Sequence, residues 1–246
     1  MSELLALDAV TAGYAADIDI LRGVTISAES SAITGLIGLN GAGKSTLMKT
    51  VCGFLRPKTG RILYDGNDIT GIAPHRVIDQ GIWYISQESS LFPSMSVEDN
   101  LRLPLEHLRR RGAVGGDAAA TRFADTLASF PALRERLAAS AGDLSGGQQK
   151  MLEFAKAYLV QPRLCLIDEP SIGLSPKIAE DVYGWIGQFA ARGIAILMVD
   201  HNVRRVVKMA SRIYVLNLGE ITAAGDAADF AGDLHEQVKA WLGINF

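Results

Sequence analysis

Between residues 33 and 52 the chain runs from an apolar β-type segment, Ile33–Ile37, through Gly38-Leu-Asn-Gly-Ala-Gly-Lys44-Ser45, into a helical stretch ending at Cys52, where Gly53 is placed to stop it. That loop fits G-x-x-x-x-G-K-[ST], and the strand before it and the helix after it are the frame the pattern requires. Gly38, Gly41 and Gly43, with Asn40 and Ala42 between them, let successive N–H groups turn toward phosphate oxygens. The helix start, Lys44 to Thr46, adds its positive dipole end at the same point. Lys44 supplies a point charge for the β- and γ-phosphates, and the Ser45 hydroxyl can ligate Mg²⁺. Alone, the motif specifies a bound nucleoside triphosphate and leaves its use open.

A second segment narrows that use. Leu164-Cys-Leu-Ile-Asp168-Glu169-Pro170 reads as a buried strand ending in two acids. Its tip delivers Asp168 beside the phosphate loop, where it can hold Mg²⁺, and Glu169 is then placed to orient or deprotonate an attacking water.

The rest of the chain supplies a frame for these segments. Short apolar strands are expected at Leu4–Ala9, Val24–Ala28, Arg61–Tyr64 and Ile82–Ser86. From Ser96 to Gly142 the character changes to Leu, Ala and Arg at helical spacing, opening on Ser96-Val-Glu-Asp99, similar to a capping box, with a loop expected at Gly112–Gly116. After Ser145 the pattern is helix, strand Leu164–Asp168, helix from Pro176, strand Ile194–Asp200, helix Val203–Ala210, and a strand pair, Ile213–Leu216 and Ile221–Ala224, joined at Gly219. Alternating strands and helices predict an α/β fold with a parallel sheet covered on both faces. The expected organisation is one domain over residues 1–246: a catalytic core with a β subdomain from 1–95 and 163–246, and a helical subdomain over about 96–162.

Composition excludes other classes. Net charge is −3, and the one compact basic run is Arg109-Arg110-Arg111, so the electrostatic footprint of a nucleic-acid binder is missing. No apolar run approaches the ~20 residues of a membrane-spanning helix, and Leu4-Leu5-Ala6-Leu7 is too short for a signal-peptide core. Cys52 and Cys165 lie in separate apolar stretches without metal-ligand spacing, which predicts buried thiols in a reducing compartment.

Leu144-Ser145-Gly146-Gly147-Gln148 carries the resemblance to a family. It resembles the signature sequence of ATP-binding cassette proteins, with Ser145 at a helix start and glycines leaving N–H groups for an anion. The match extends over nearly the whole chain in the right order. Tyr14 resembles the aromatic that stacks on adenine, Gln87 the loop glutamine that senses Mg²⁺ and the membrane partner, and His201 the switch histidine that touches the γ-phosphate. The resemblance implies a P-loop fold with a RecA-like parallel-sheet core, an N-terminal antiparallel β subdomain and an inserted helical signature subdomain. It also implies an ATPase in which Ser145, Gly146, Gly147 and Gln148 contact the ATP held by a second ATPase subunit. The partners implied are that subunit, identical or different, transmembrane permeases and, indirectly, a periplasmic solute-binding protein, with the chain held on the cytoplasmic face of the cell membrane.

A finer resemblance is to the shorter ATPase subunit of branched-chain (hydrophobic) amino acid uptake systems. It rests on Pro170-Ser-Ile-Gly-Leu-Ser-Pro176, Phe130-Pro-Ala-Leu-Arg-Glu-Arg136 and Trp241-Leu-Gly243. That subunit often carries Gln where this chain has His201 and an acid where it has Gln87. The stretch from Val199 to Val203 also resembles the lipopolysaccharide-export cassette, which forms a homodimer, and amide or urea uptake is a further alternative. A soluble cassette protein acting on ribosomes or DNA is disfavoured by the single cassette and acidic charge.

Overall fold

In a computed structural model of the protein, which describes residues 2–230, two sheets and a set of helices form around the segments above. The resemblance at Trp241-Leu-Gly243 lies outside the described residues. Strands β1 (Glu3–Ala12), β2 (Leu21–Glu29), β4 (Thr59–Tyr64) and β5 (Asn67–Asp68) make a four-stranded antiparallel sheet in the order β2-β1-β4-β5. The second sheet is six-stranded, β10-β9-β3-β8-β7-β6, with β3 (Ile33–Ile37), β6 (Ile82–Ile85), β7 (Leu164–Asp168), β8 (Ala195–Val199), β9 (Arg212–Asn217) and β10 (Glu220–Asp226).

Every residue of β3, β7 and β8 is buried, as unbroken apolar runs in a sheet covered on both faces should be. These strands pair in parallel, and β9 pairs in parallel with β3. Beyond this parallel core the expected strand pair joined at Gly219 is present, β10 running antiparallel to β9 at the edge of the sheet. Only Leu218 and Gly219 separate the two strands, with φ of 46° and 87°, and a two-residue turn with both φ positive can only reverse the chain.

The phosphate-loop helix α1 (Lys44–Val51) buries Leu47, Met48 and Val51 in a core that also holds Leu5, Leu7 and Val24 from the first sheet and Leu36, Leu166 and Leu197 from the second. Each such side chain contributes about 1.5–3 kcal/mol, so the loop between β3 and α1 is fixed at both ends. Cys52 and Cys165 are free thiols, and both are buried.

The chain divides into two units, each with its own core. The first takes in residues 2–84, 163–169 and 190–230; the second takes in 85–162 and 170–189. Helices α2 (Val97–Arg110), α3 (Gly116–Ser129), α4 (Pro131–Arg134), α5 (Gly146–Val160) and most of α6 (Pro176–Ala191) build the second unit. Helix α7 (Val203–Met209) belongs to the first. The expected insert of 96–162 thus lies within a larger unit. Trp185 and Phe189 on α6 join Phe130, Phe154 and Tyr158 in one aromatic cluster, with ring centroids 5.4–6.5 Å apart, and that packing draws α6 in.

At the start of α2, the Ser96 hydroxyl oxygen accepts the Asp99 N–H at 3.0 Å while donating to the Asp99 carboxylate at 2.6 Å. Half of the expected capping box is therefore present, since the Asp99 side chain is turned to the hydroxyl. The loop after α2 gives way to helix at Gly116, the last residue of the expected Gly112–Gly116 loop.

Candidate active site

The phosphate loop is held from both flanks. A Cβ at Gly38 would collide with the Leu216 carbonyl on β9, so only glycine passes at this point. The Gly219 N–H donates to the Ala42 carbonyl at 3.0 Å. Gly43 caps α1 with φ of 108° and no side chain over the helix end, leaving its first N–H groups facing the loop. Lys44 turns back into the loop, its ammonium donating to the Gly38 and Leu39 carbonyls, both at 3.0 Å. Ser45 and Thr46 follow on the first turn of α1.

Tyr14 lies between β1 and β2 and is 64% exposed, with its ring available for stacking. Lys58 fixes this loop by donating to the carbonyls of Ala16 and Ile18 and to the Asp19 carboxylate at 2.7 Å.

Strand β7 ends on Asp168, which is 1% exposed. The Tyr84 hydroxyl on β6 donates to its Oδ2 at 3.1 Å, while Oδ1 is buried without a partner. Burial, together with the Asp168 charge, pushes the Tyr84 phenol above its ordinary range. Glu169 follows with φ of 46°, a region that costs a non-glycine residue. Its N–H donates to the Val199 carbonyl at 2.9 Å, and its Oε1 lies 3.8 Å from the Lys44 Nζ. The structure therefore brings Lys44, Asp168 and Glu169 together in one unit. His201 follows β8 with an exposed side chain, its Nδ1 3.4 Å from the Asp200 carboxylate, which also accepts the Asn202 N–H at 2.8 Å.

Among the described residues no three His, Cys, Asp or Glu side chains gather as a metal cage. A magnesium ion bound with a nucleotide needs none, since it keeps several waters and takes one or two protein oxygens plus phosphates. The orphaned Asp168 Oδ1 and the Ser45 hydroxyl suit such an ion.

The signature residues belong to the second unit. Ser145 caps α5 in a complete capping box: its hydroxyl oxygen accepts the Gln148 N–H at 3.4 Å, and Gln148 Oε1 accepts the Ser145 N–H at 3.0 Å. The Ser145 oxygen and N–H are thus engaged within the helix, and its O–H hydrogen is the part left to donate. Gly146 and Gly147 open the helix, where N–H groups lack intrahelical acceptors.

Gln87 is exposed, just after β6. The segment that follows it is clamped to α5: the Ser90 N–H donates to Glu153 Oε1 and the Lys156 ammonium to the Ser90 carbonyl, both at 2.9 Å. Lys150 pairs with Glu153 at 2.7 Å, and Asn100 bonds both the N–H and the carbonyl of Phe92.

The ABC transporter family model matches residues 21–172, more than half of the chain. This chain belongs to the ABC transporter family. It is 34% identical over 223 residues to the high-affinity branched-chain amino acid transport ATP-binding protein BraG of Pseudomonas aeruginosa, covering 89% of this chain and 91% of that protein. It is 32% identical to the lipopolysaccharide export system ATP-binding protein LptB of Escherichia coli, covering 92% of each. Among solved structures, the ATP-binding cassette MJ1267 of an ABC transporter matches with a TM-score of 0.83 at 28% identity over the full length of both chains. The chain is accordingly an ABC-type transporter ATPase that binds and hydrolyses ATP and works with transmembrane permease subunits. No helix among the described residues is long and apolar enough to cross a membrane.

Three polar residues of the cassette escaped sequence reading. Tyr84 sits in the apolar run Ile82–Ile85, which by itself suggests only packing. Glu153 and Lys156 lie on α5 three residues apart, one helical turn, and signal no more than a surface ion pair, yet they are 3% and 5% exposed.

Proposed function

We propose that this cassette hydrolyses Mg²⁺-bound ATP between two ATPase subunits and powers an importer for branched-chain or other hydrophobic amino acids. The hydrolytic part rests on the grouping of Lys44, Asp168 and Glu169 around the phosphate loop. Loop N–H groups and Lys44 hold the β- and γ-phosphates, the ammonium exchanging its two loop carbonyls for phosphate oxygens. Glu169, 12% exposed, takes a proton from the attacking water at its carboxylate. Ser45 and Asp168 would hold Mg²⁺, which neutralises phosphate charge when bound. Tyr14 stacks on the adenine.

Asp200 beside Nδ1 favours a hydrogen on that nitrogen of His201, orienting the ring for its expected γ-phosphate contact. The roles of Gln87 in sensing, and of Ser145, Gly146, Gly147 and Gln148 toward a second subunit's ATP, rest on the sequence pattern. Two subunits, identical or different, would bind at the cytoplasmic face of the membrane through permeases.

Amino acid uptake is supported by the likeness to BraG over most of both chains and by the Phe130–Arg136 and Pro170–Pro176 segments. A second reading, lipopolysaccharide export by a homodimer, is favoured by relatives named LptB, one of them 33% identical over 95% of this chain. Reconstitution with the co-encoded permeases in vesicles discriminates the two. Stimulation of ATP hydrolysis by a leucine-loaded binding protein is the expected result; stimulation by lipopolysaccharide alone would replace uptake with export.

A further inference from the structure

The hydrogen bond from Tyr84 to Asp168 joins neighbouring strands of the large sheet, and it leaves the two oxygens of one carboxylate in opposite states. Oδ2 accepts the phenol at 3.1 Å; Oδ1 is buried and accepts nothing. A tyrosine hydroxyl is protonated at neutral pH, so the phenol is the donor and the carboxylate the acceptor. The torsion that turns an aspartate carboxylate about its Cβ–Cγ bond is intrinsically broad and roughly two-fold. A donor held from β6 biases it toward one orientation, the ring standing on a strand whose end residues, Ile82 and Ile85, are buried.

A buried anionic oxygen without a partner is costly. The fold keeps Oδ1 in that state while satisfying Oδ2, which is the arrangement expected of a ligand atom reserved for a cation. Outer hydrogen bonds to metal-binding carboxylates commonly set metal affinity by orienting the ligand.

We propose that Tyr84 is a positioning residue that holds the Asp168 carboxylate with Oδ1 free, and so sets the affinity of the nucleotide site for its divalent cation. This rests on the reading of Asp168 as a Mg²⁺ ligand. Tyr84 touches neither nucleotide nor metal; it acts through Asp168.

The test uses the full chain with a non-hydrolysable ATP analogue and Mn²⁺ as the probe, free Mn²⁺ being read by electron paramagnetic resonance. Tyr84→Phe, which keeps the ring, should weaken Mn²⁺ binding about 10-fold and leave analogue affinity in EDTA unchanged. Asp168→Asn should weaken Mn²⁺ binding at least as much, and adding Tyr84→Phe to it should change little further, because the two act as a unit. If Asp168→Asn weakens Mn²⁺ binding and Tyr84→Phe does not, the positioning role is overturned while the metal reading stands. A wild-type Mn²⁺ affinity in Asp168→Asn overturns both. Equal losses of Mn²⁺ affinity and metal-free nucleotide affinity in Tyr84→Phe mark a purely structural bond and also overturn the proposal.

Discussion

The Nζ of Lys44 lies 3.8 Å from Oε1 of Glu169, with both side chains largely buried, so the loop's ammonium and the acid at the strand tip balance each other. Removing the acid while keeping its shape should leave nucleotide binding in place and stop the chemistry. Glu169→Gln is expected to retain ATP affinity, to lower single-turnover hydrolysis by about 10²-fold or more, and to accumulate an ATP-bound dimer on gel filtration. Wild-type turnover in this variant would exclude Glu169 as the base.

The backbone at Glu169 allows its strain to be separated from its chemistry. At φ of 46° a side chain is penalised and glycine is not. Glu169→Gly and Glu169→Gln both lose the carboxylate, so their difference isolates the backbone. The glycine variant should be more stable than the glutamine variant by about 0.5–1 kcal/mol in urea unfolding. Equal stability, or a weaker glycine variant, would count against stored strain.

Gly38→Ala places a methyl against the Leu216 carbonyl. Either the loop or β9 must shift, and the fold should lose about 1–3 kcal/mol together with most of its ATP affinity. Calorimetric titration and thermal melting report the two losses separately. An alanine variant that binds ATP normally would show that the loop tolerates the displacement.

The clamp on Ser90 has a pH signature. Burial depresses the Lys156 pKa to about 8, with Glu153 opposing the shift, whereas an unfolded lysine titrates near about 10.4. Across that window the unfolded state binds more protons, so the stability of wild type relative to Lys156→Met should rise with pH, by up to about 1.4 kcal/mol per unit. Below about pH 8 both states are protonated and the difference should be flat. Paired urea titrations of the two proteins from pH 7 to 10 measure it; a difference that falls as pH rises would contradict a buried ammonium.

Several parts of this protein were legible in its sequence because local chemistry dictated them. Ile33–Ile37 and Leu164–Asp168 matched observed strands residue for residue, since each is an apolar run bounded by glycine or acid. Lys44, Asp168 and Glu169 sit near one another as strand-tip geometry required. The antiparallel edge pair was legible as well, because Gly219, with φ of 87°, marks the turn between two apolar runs. Tyr84, Glu153 and Lys156 were illegible because their partners are 84, 63 and 66 residues away along the chain, and a hydrogen bond across such a distance has no local pattern.

Cys52 and Cys165 are sealed in the core of the first unit, and desolvation raises the Cys52 thiol to about 12 and pushes the Cys165 thiol up as well. Maleimides and disulfide reagents act on thiolates, which neither residue provides at neutral pH. The native chain is thereby a silent background for site-specific labelling. A single cysteine introduced at exposed Ser89, beside Gln87, would report proximity to a permease loop with no need to strip the protein of its own thiols.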